Sequence, residues 1–180
     1  MLSVLVIDES RSRAGEICAG LALAGYQVAA ILAGSERLSA EVEKLQPDVI
    51  LIDTDSPSRD TLENLAAMHR NMPRPIVIFT QDDGQAMIRD AVKAGVSAYI
   101  VDGLDPRRIK PIIEVARARF EDRQALRREI DEVSRKLSDR KLLDKAKGVL
   151  MKARGIDEDA AYHAMRKLAM ERGQTMAKVA

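Results

Sequence analysis

Three carboxylates follow apolar runs in the first third of the chain, where they could act together. Asp8 and Glu9 follow SVLVI (3–7), and Asp53 follows VILI (49–52). If both runs form parallel strands, their carboxyl ends meet at one edge of the sheet and the three carboxylates share a pocket. A hard divalent cation with oxygen ligands, most naturally Mg²⁺, would relieve their mutual repulsion. The alternative is that acidic residues collect at strand ends only because they favour turns.

Five short apolar runs supply the strands that would position these acids. They are separated by segments with helical spacing: SVLVI (3–7), VAAI (28–31), VILI (49–52), IVIF (76–79) and AYIV (98–101). Continuously apolar runs indicate strands buried on both faces, which is typical of a parallel sheet covered by helices. We therefore predict an α/β fold with a doubly wound, five-stranded parallel sheet over residues 1–105.

The two parts of the chain carry opposite charge. Residues 1–105 hold 9 Lys and Arg against 16 Asp and Glu, a net charge of −7. Residues 106–180 hold 20 against 12, a net charge of +8, which favours an anionic partner for the second part. No apolar run reaches the roughly 20 residues of a membrane helix, and no signal peptide is predicted. The single cysteine fits a cytoplasmic protein.

A long helix is predicted to connect the two parts. Pro106 can open it, with Asp105 as the N-cap. Farther along, four apolar residues among charged ones are spaced by 4, 3 and 4: Leu126, Ile130, Val133 and Leu137. This spacing is typical of a coiled-coil seam, and we predict a parallel homodimer through it. The alternative is a helix that packs against its own domain.

The stretch KLLDKAKGVLMKARG (141–155) combines an apolar helical face with basic flanks. A second helix follows, on which Tyr162 and Arg166 are one turn apart and offer a stacking surface beside a guanidinium. Such groups hold bases and phosphates in RNA loops. The candidate RNA-binding residues are Arg140, Lys141, Lys145, Lys147, Gly148, Tyr162 and Arg166. The alternative is a small helical bundle with solvated charges.

Over residues 1–105 the sequence resembles the receiver domain of bacterial two-component response regulators. The resemblance rests on the acid pair Asp8–Glu9, on Asp53, on Thr80 at the end of the fourth run and on Tyr99 within the fifth. It implies that the three acids bind Mg²⁺ and that Asp53 accepts a phosphoryl group from a histidine kinase. It also implies that Thr80 and Tyr99 are switch residues that respond to that group.

The sequence departs from receivers just after the fifth run. Receivers usually carry Lys-Pro there, whereas this chain has Asp102 and Gly103. The lysine normally contacts the phosphoryl group, and a carboxylate would instead add repulsion to an acidic pocket. We therefore expect Asp53 to be a vestigial phosphoacceptor and control to come from a binding partner.

The carboxyl-terminal part resembles the ANTAR domain, a three-helix RNA-binding module of bacterial transcription antiterminators. The matching phrases are AKGVLM (146–151), EDAAY (158–162) and RKLAM (166–170). With the connector, the chain is similar to the NasT type, whose members are nitrate-responsive and are held inactive by a nitrate-sensor protein. The resemblance implies binding to paired RNA hairpins in a leader transcript. The expected domains are 1–105 (receiver), 106–138 (connector) and 139–180 (ANTAR, with its third helix incomplete).

The leading hypothesis is therefore a dimeric, RNA-binding antiterminator. One alternative is a phosphorylation-controlled response regulator that binds DNA, although no helix-turn-helix is apparent. Another is an adaptor whose carboxyl-terminal helices only mediate protein contacts. An enzyme is not expected, because His69 and His163 stand alone on predicted helices and no nucleophile–base pair is visible.

Overall fold

The structure is a computed structural model, and it describes residues 1–9 and 13–180. Within these ranges the chain divides into two compact units, Met1–Arg123 and Gln124–Ala180. No helix in the described part of the chain is both long enough and apolar enough to cross a membrane.

The first unit alternates strands and helices, as the apolar runs predict. Its elements are β1 (Ser3–Asp8), α1 (Ala14–Leu23), β2 (Gln27–Leu32), α2 (Leu38–Leu45), β3 (Val49–Asp53), α3 (Arg59–Asn71), β4 (Ile76–Phe79), α4 (Gln85–Lys93) and β5 (Ala98–Ile100). All strand pairs are parallel, and the strand order is β2-β1-β3-β4-β5. The predicted fold is confirmed. The fifth strand is one residue shorter than its apolar run, since Val101 lies in the turn that follows.

Side chains alternate between the two faces of the sheet, so each face has its own apolar cluster. On one face, strand residues such as Leu5 and Ile52 pack with α2, α3 and α4. On the other face, neighbours such as Val4 and Leu51 pack with α1 and the start of the long helix α5. Burial of both faces explains why the strand sequences are continuously apolar.

The connector begins with a 3-10 turn, Pro106–Arg108, that leads into α5, Ile109–Arg154. Asp105 caps the turn as predicted, because its Oδ1 accepts a hydrogen bond from the Arg107 amide at 3.0 Å. Helix α5 runs without interruption through the boundary expected at residues 138–139, so no break in secondary structure marks that boundary.

The second unit contains the rest of α5, together with α6 (Glu158–Glu171) and α7 (Met176–Val179). Helix α5 ends before Gly155, which has a positive φ of 62°, a conformation that glycine adopts without strain. Asp157 then caps α6 by accepting a hydrogen bond from the Ala160 amide at 2.8 Å. The buried apolar residues of this unit are Ala161, Met165 and Ala169.

Candidate functional site

Two of the three predicted acidic residues meet at the carboxyl edge of the sheet. Asp8 ends β1 and Asp53 ends β3, and the two residues are direct partners in the parallel ladder. Their side chains are almost fully buried, with 1% and 0% of their surface exposed. The sheet therefore holds two carboxylates side by side at one place.

The third acid, Glu9, has its carboxylate engaged by hydroxyl groups. Its Oε2 accepts a hydrogen bond from Thr54 Oγ1 at 2.7 Å, and its Oε1 accepts one from Thr61 Oγ1 at 2.9 Å. The Thr61 amide is in turn held by Ser58, the N-cap of α3. Glu9 thus links the end of β3 to the start of α3 through the two threonine hydroxyls.

A cation that the sequence analysis missed lies against the buried carboxylates. Arg13 Nε is 3.0 Å from Asp53 Oδ2, and Arg13 Nη2 is 3.8 Å from Asp55 Oδ1. A Cβ placed on Gly103 would lie 3.3 Å from Arg13 Nη1, so the guanidinium also lies beside the turn after β5. The sequence contained one signal for this cation. Arg13 is a basic residue in an acidic domain, and it lies between the acid pair and α1.

The electrostatics of this edge are dominated by burial. Burial raises the pKa of the Asp53 carboxyl above its ordinary value, and the negative charges of Asp8 and Asp55 act in the same direction. The positive charge of Arg13 opposes the shift. Asp102, which we expected to add repulsion here, is exposed to solvent in a left-handed turn with φ of 71°.

Mg²⁺ binding requires a set of oxygen ligands with room for the ion. Among residues 1–9 and 13–180, no group of three His, Cys, Asp or Glu side chains is arranged to hold a metal. The Glu9 carboxylate accepts hydrogen bonds from Thr54 and Thr61, and the Arg13 guanidinium forms an ion pair with Asp53. In this arrangement the predicted ligands Asp8, Glu9 and Asp53 do not fit a divalent cation.

The predicted switch residues Thr80 and Tyr99 are joined through one loop. Thr80 is fully buried, and its hydroxyl donates a hydrogen bond to the Asp55 carbonyl oxygen at 2.8 Å. The Tyr99 hydroxyl donates to the Asp82 carbonyl oxygen at 2.9 Å. The Asp82 amide donates to Thr80 Oγ1 at 3.2 Å, so both side chains hold the segment after β4 in place.

In the second unit, Lys147 joins α5 to α6. Its Nζ is 2.6 Å from Glu158 Oε1 and 3.1 Å from Asp144 Oδ1, and only 19% of its side chain is exposed. The hydrogen bond to Glu158 is the main cause that raises the pKa of Lys147. Lys147 and Glu158 both belong to the phrases that indicated an ANTAR domain, which gives those phrases a structural role.

The other predicted RNA-binding side chains are open to solvent. Arg140, Lys141, Lys145, Tyr162 and Arg166 are all exposed. Gly148 is half-buried, yet a Cβ added to it would meet no atom within 4 Å among the described residues. Within the described part of the chain, no helix uses the close approach that this glycine permits.

The four residues of the predicted dimer seam form an exposed apolar stripe. The exposed fractions are 58% for Leu126, 57% for Ile130, 60% for Val133 and 55% for Leu137. All four lie on the part of α5 that belongs to the second unit. An apolar stripe between charged residues is the surface that a coiled coil covers.

The fold and the paired aspartates at the ends of β1 and β3 define the class of receiver domains. The response regulator receiver domain matches residues 4–114, and the ANTAR domain matches residues 131–180. The chain therefore belongs to the response regulators that combine a receiver domain with an ANTAR domain. Receiver domains commonly bind Mg²⁺ at their phosphorylation site, and neither domain indicates an enzyme.

Two relatives are regulatory proteins by name. The chain is 32% identical to the transcriptional regulatory protein PdtaR of Mycobacterium tuberculosis over 157 residues, which are 87% of this chain and 76% of that protein. It is 34% identical to the nitrate regulatory protein of Klebsiella oxytoca over 79 residues, which are 44% of this chain and 20% of that protein. The chain is thus an ANTAR-containing regulator of the PdtaR and NasT type.

Solved structures agree on the fold of the first unit. A pilus assembly-related protein from Burkholderia pseudomallei superposes with a TM-score of 0.60 at 24% identity, covering 66% of this chain and 91% of that one. A CheY-like receiver domain from Methanospirillum hungatei superposes with a TM-score of 0.59 at 21% identity, covering 68% and 98%. At these identities the likeness defines the fold alone.

Proposed function

We propose that the protein is an RNA-binding transcription antiterminator that binds paired hairpins in a leader transcript. The observation that carries this proposal is the ANTAR domain at residues 131–180, with basic residues exposed on its two longer helices. Residues 138–180 hold 10 Lys and Arg against 6 Asp and Glu, a net charge of +4. An excess of basic residues lets RNA displace counterions from the phosphate backbone.

The proposed RNA-binding surface has two parts. Tyr162 and Arg166 lie one turn apart on α6, where the ring can stack on an unpaired base and the guanidinium can pair with a phosphate. Arg140, Lys141 and Lys145 lie on α5 and supply further positive charge. Lys147 stays in the proposed set, although Asp144 and Glu158 already share its ammonium group. Gly148 offers bare backbone beside them.

The proposed active form is a homodimer joined along α5. Four side chains, each more than half exposed in one chain, would be covered by the same stripe of a second parallel chain. Two copies would place two ANTAR domains together, which matches a target made of two hairpins. Linked binding sites bind with higher apparent affinity than one site alone.

Control is proposed to come from a protein partner in the cytoplasm rather than from phosphorylation. The proposed partner is an inhibitory nitrate-sensor protein, favoured by the likeness to a nitrate regulatory protein. The alternative partner is a histidine kinase, favoured by the receiver domain, which would act through phosphorylation of Asp53. Asp102 takes the place of the receiver lysine, so a phosphoryl group on Asp53 would have little differential energy with which to move a switch.

Binding to three classes of probe tests the proposal against the two alternatives. The full chain is titrated with a two-hairpin leader RNA and, separately, with a DNA duplex of equal length. A sample without nucleic acid is the blank. Preference for the RNA supports antitermination, preference for the duplex supports a DNA-binding regulator, and no binding to either supports an adaptor. Affinity should fall as salt rises, because counterions are released.

A pair of variants on α6 assigns the RNA-binding surface. Arg166→Ala should weaken hairpin binding and make the slope of log affinity against log salt shallower by about 0.7 to 0.9, the share of one phosphate contact. Lys167→Ala is the matched control, since Lys167 is on the same helix and 80% exposed but outside the proposed surface. Equal losses for both variants would indicate a diffuse charge effect and contradict the assignment.

Asp53→Ala tests the mode of control. Hairpin affinity is measured for wild type and variant, each with and without Mg²⁺ and a small phosphodonor. We expect all four values to agree closely. A gain of about tenfold on phosphodonor treatment, about 1.4 kcal/mol, that is seen only in wild type would establish Asp53 as a working switch.

A further inference from the structure

We propose that Arg13 is a built-in cation of the Asp53 pocket, which takes the position that receivers fill with a divalent ion and a lysine. This inference concerns the first unit alone and does not depend on RNA binding. It starts from the fit test above: the three predicted metal ligands are not arranged around a metal position, and a guanidinium pairs with Asp53 instead.

The pocket needs a positive charge for a simple electrostatic reason. Asp8 and Asp53 are neighbours in the sheet and are 1% and 0% exposed, so neither carboxylate is well solvated. A buried carboxylate is costly unless a positive charge or hydrogen-bond donors compensate it. Arg13 supplies that charge 3.0 Å from Asp53, a distance typical of a charge-assisted contact.

The planar guanidinium contacts three sides of the pocket. Nε faces Asp53 at the end of β3, and Nη2 faces Asp55 in the loop that follows. Nη1 lies beside Gly103, where a Cβ would be only 3.3 Å away, and the same Cβ would be 2.9 Å from Gln81 Nε2. A residue with a side chain at position 103 would therefore crowd the guanidinium. The departure from Lys-Pro at residues 102–103 and the position of Arg13 are two parts of one arrangement.

An arginine suits this role because one side chain reaches Asp53, Asp55 and the turn after β5. Its fork presents several donors in fixed directions and keeps its charge at every physiological pH. Arg13 Nε lies against Asp53 Oδ2, so a divalent cation that used this oxygen would meet the guanidinium there. The two positive charges therefore compete for Asp53, and metal binding is weaker while the guanidinium stays in contact with it.

A direct measurement of metal affinity tests whether Arg13 and a divalent cation compete for Asp53. Free Mn²⁺ is followed by electron paramagnetic resonance during titration of the full chain, and Mg²⁺ is then added as a competitor. Removing the charge in Arg13→Gln should tighten Mn²⁺ binding at least about tenfold, because the ion no longer competes with a positive charge in contact with Asp53. Arg37→Gln is the matched control, since Arg37 is 81% exposed and pairs with Glu41 on α2. It should bind Mn²⁺ as wild type does.

Two further variants complete the test. Arg13→Lys keeps the charge but loses the fork, and its Mn²⁺ affinity should lie closer to wild type than that of Arg13→Gln. Asp53→Asn should release the guanidinium, so the Arg13 Nε–H signal in nitrogen-correlated NMR spectra should lose its protection from solvent exchange. This second readout does not require Arg13→Gln to fold. Equal Mn²⁺ affinity for wild type and Arg13→Gln would overturn the proposal, and so would an Arg13 Nε–H signal that exchanges equally fast in wild type and Asp53→Asn.

Discussion

The two units of the chain differ in how much of their apolar surface they cover themselves. Residues 1–123 pack both faces of the sheet with buried clusters, and side chains such as Phe79 and Leu65 are 0% exposed. In residues 124–180 the buried apolar side chains are only Ala161, Met165 and Ala169, whereas the stripe on α5 is more than half exposed. The first unit is built around a core, and the second leaves much of its apolar surface exposed.

The ion pairs of the two units follow the same division. Arg13 pairs with Asp53, which is 0% exposed, so removing the arginine leaves a buried charge. Lys147 pairs with Glu158, which is 67% exposed and can be solvated by water when the pair is broken. Such a pair contributes little to stability, because water competes for its charges. We infer that the first pair determines the chemistry of a pocket, while the second mainly orients two helices.

The largest expected effect is the truncation of a core side chain in the first unit. Phe79→Ala removes a fully buried ring from β4 and should cost about 3–5 kcal/mol of unfolding free energy. Hydrogen exchange followed by mass spectrometry should show faster exchange in β1 to β5 and unchanged exchange in α6. Equal acceleration in α6 would mean that the two units unfold as one, which would contradict the comparison.

The next effect concerns the stripe on α5. Ile130→Glu would bury an unpaired charge in the proposed dimer seam, and this should weaken association by several kcal/mol. Sedimentation should show dimers for wild type and monomers for the variant, with the receiver fold retained. Ala125→Glu adds the same charge at a neighbouring exposed position outside the seam and should remain dimeric. A wild-type chain that is monomeric at micromolar concentration would end this prediction.

A pair of helical glycines gives opposite expectations in the two units. Gly148→Ala should stabilise α5 by about 1 kcal/mol, because the added Cβ meets no atom of residues 1–9 and 13–180 within 4 Å. Gly20→Ala in α1 should destabilise, because its Cβ would lie 2.7 Å from Ile109 Cδ1 and 3.1 Å from Pro106 Cβ. Thermal unfolding measures both changes in stability.

The same variant tests whether RNA approaches the helix at Gly148. If Gly148→Ala is more stable but binds hairpin RNA less well, RNA approaches the helix at this glycine. Unchanged affinity would place the contact elsewhere.

The smallest expected effect is a loss of stability of the first unit at alkaline pH. The Tyr26 hydroxyl donates a hydrogen bond to Glu114 Oε1 at 2.8 Å, and burial, followed by Glu114, raises the pKa of Tyr26 to about 12. The unfolded chain loses this proton near pH 10, so the stability from Tyr26 is complete below pH 10 and is lost as pH rises toward 12. Tyr26→Phe should cost about 0.5–1.5 kcal/mol at neutral pH.

Urea unfolding at several pH values checks the alkaline prediction. The difference in stability between wild type and Tyr26→Phe should shrink between pH 10 and 12, because only wild type has this titration. Tyr162→Phe is the control, since Tyr162 is 43% exposed and lies in the second unit. An identical pH dependence for wild type and Tyr26→Phe would mean that neither burial nor Glu114 raises the pKa of Tyr26.

The sequence was sufficient for the fold of the first unit and for the identity of both domains. Continuously apolar runs require burial on both faces, and parallel strands then need helical crossovers, so local pattern and architecture are tightly coupled. Caps such as Asp105 and Asp157 and the stop at Gly155 were also predictable, because each acts within a few residues. The family phrases identified the ANTAR domain before any contact was known.

The tertiary structure decided which groups meet. The sequence placed Asp8, Glu9 and Asp53 at strand ends, but the position of each carboxylate depends on residues distant in the chain. Glu9 is held by Thr54 and Thr61, and Arg13 reaches Asp53, which is 40 positions away. Periodicity reports only which side of an element faces the core, whereas pairing between charges depends on side-chain directions that packing fixes. For that reason the acids were predictable from the sequence, and their cation was not.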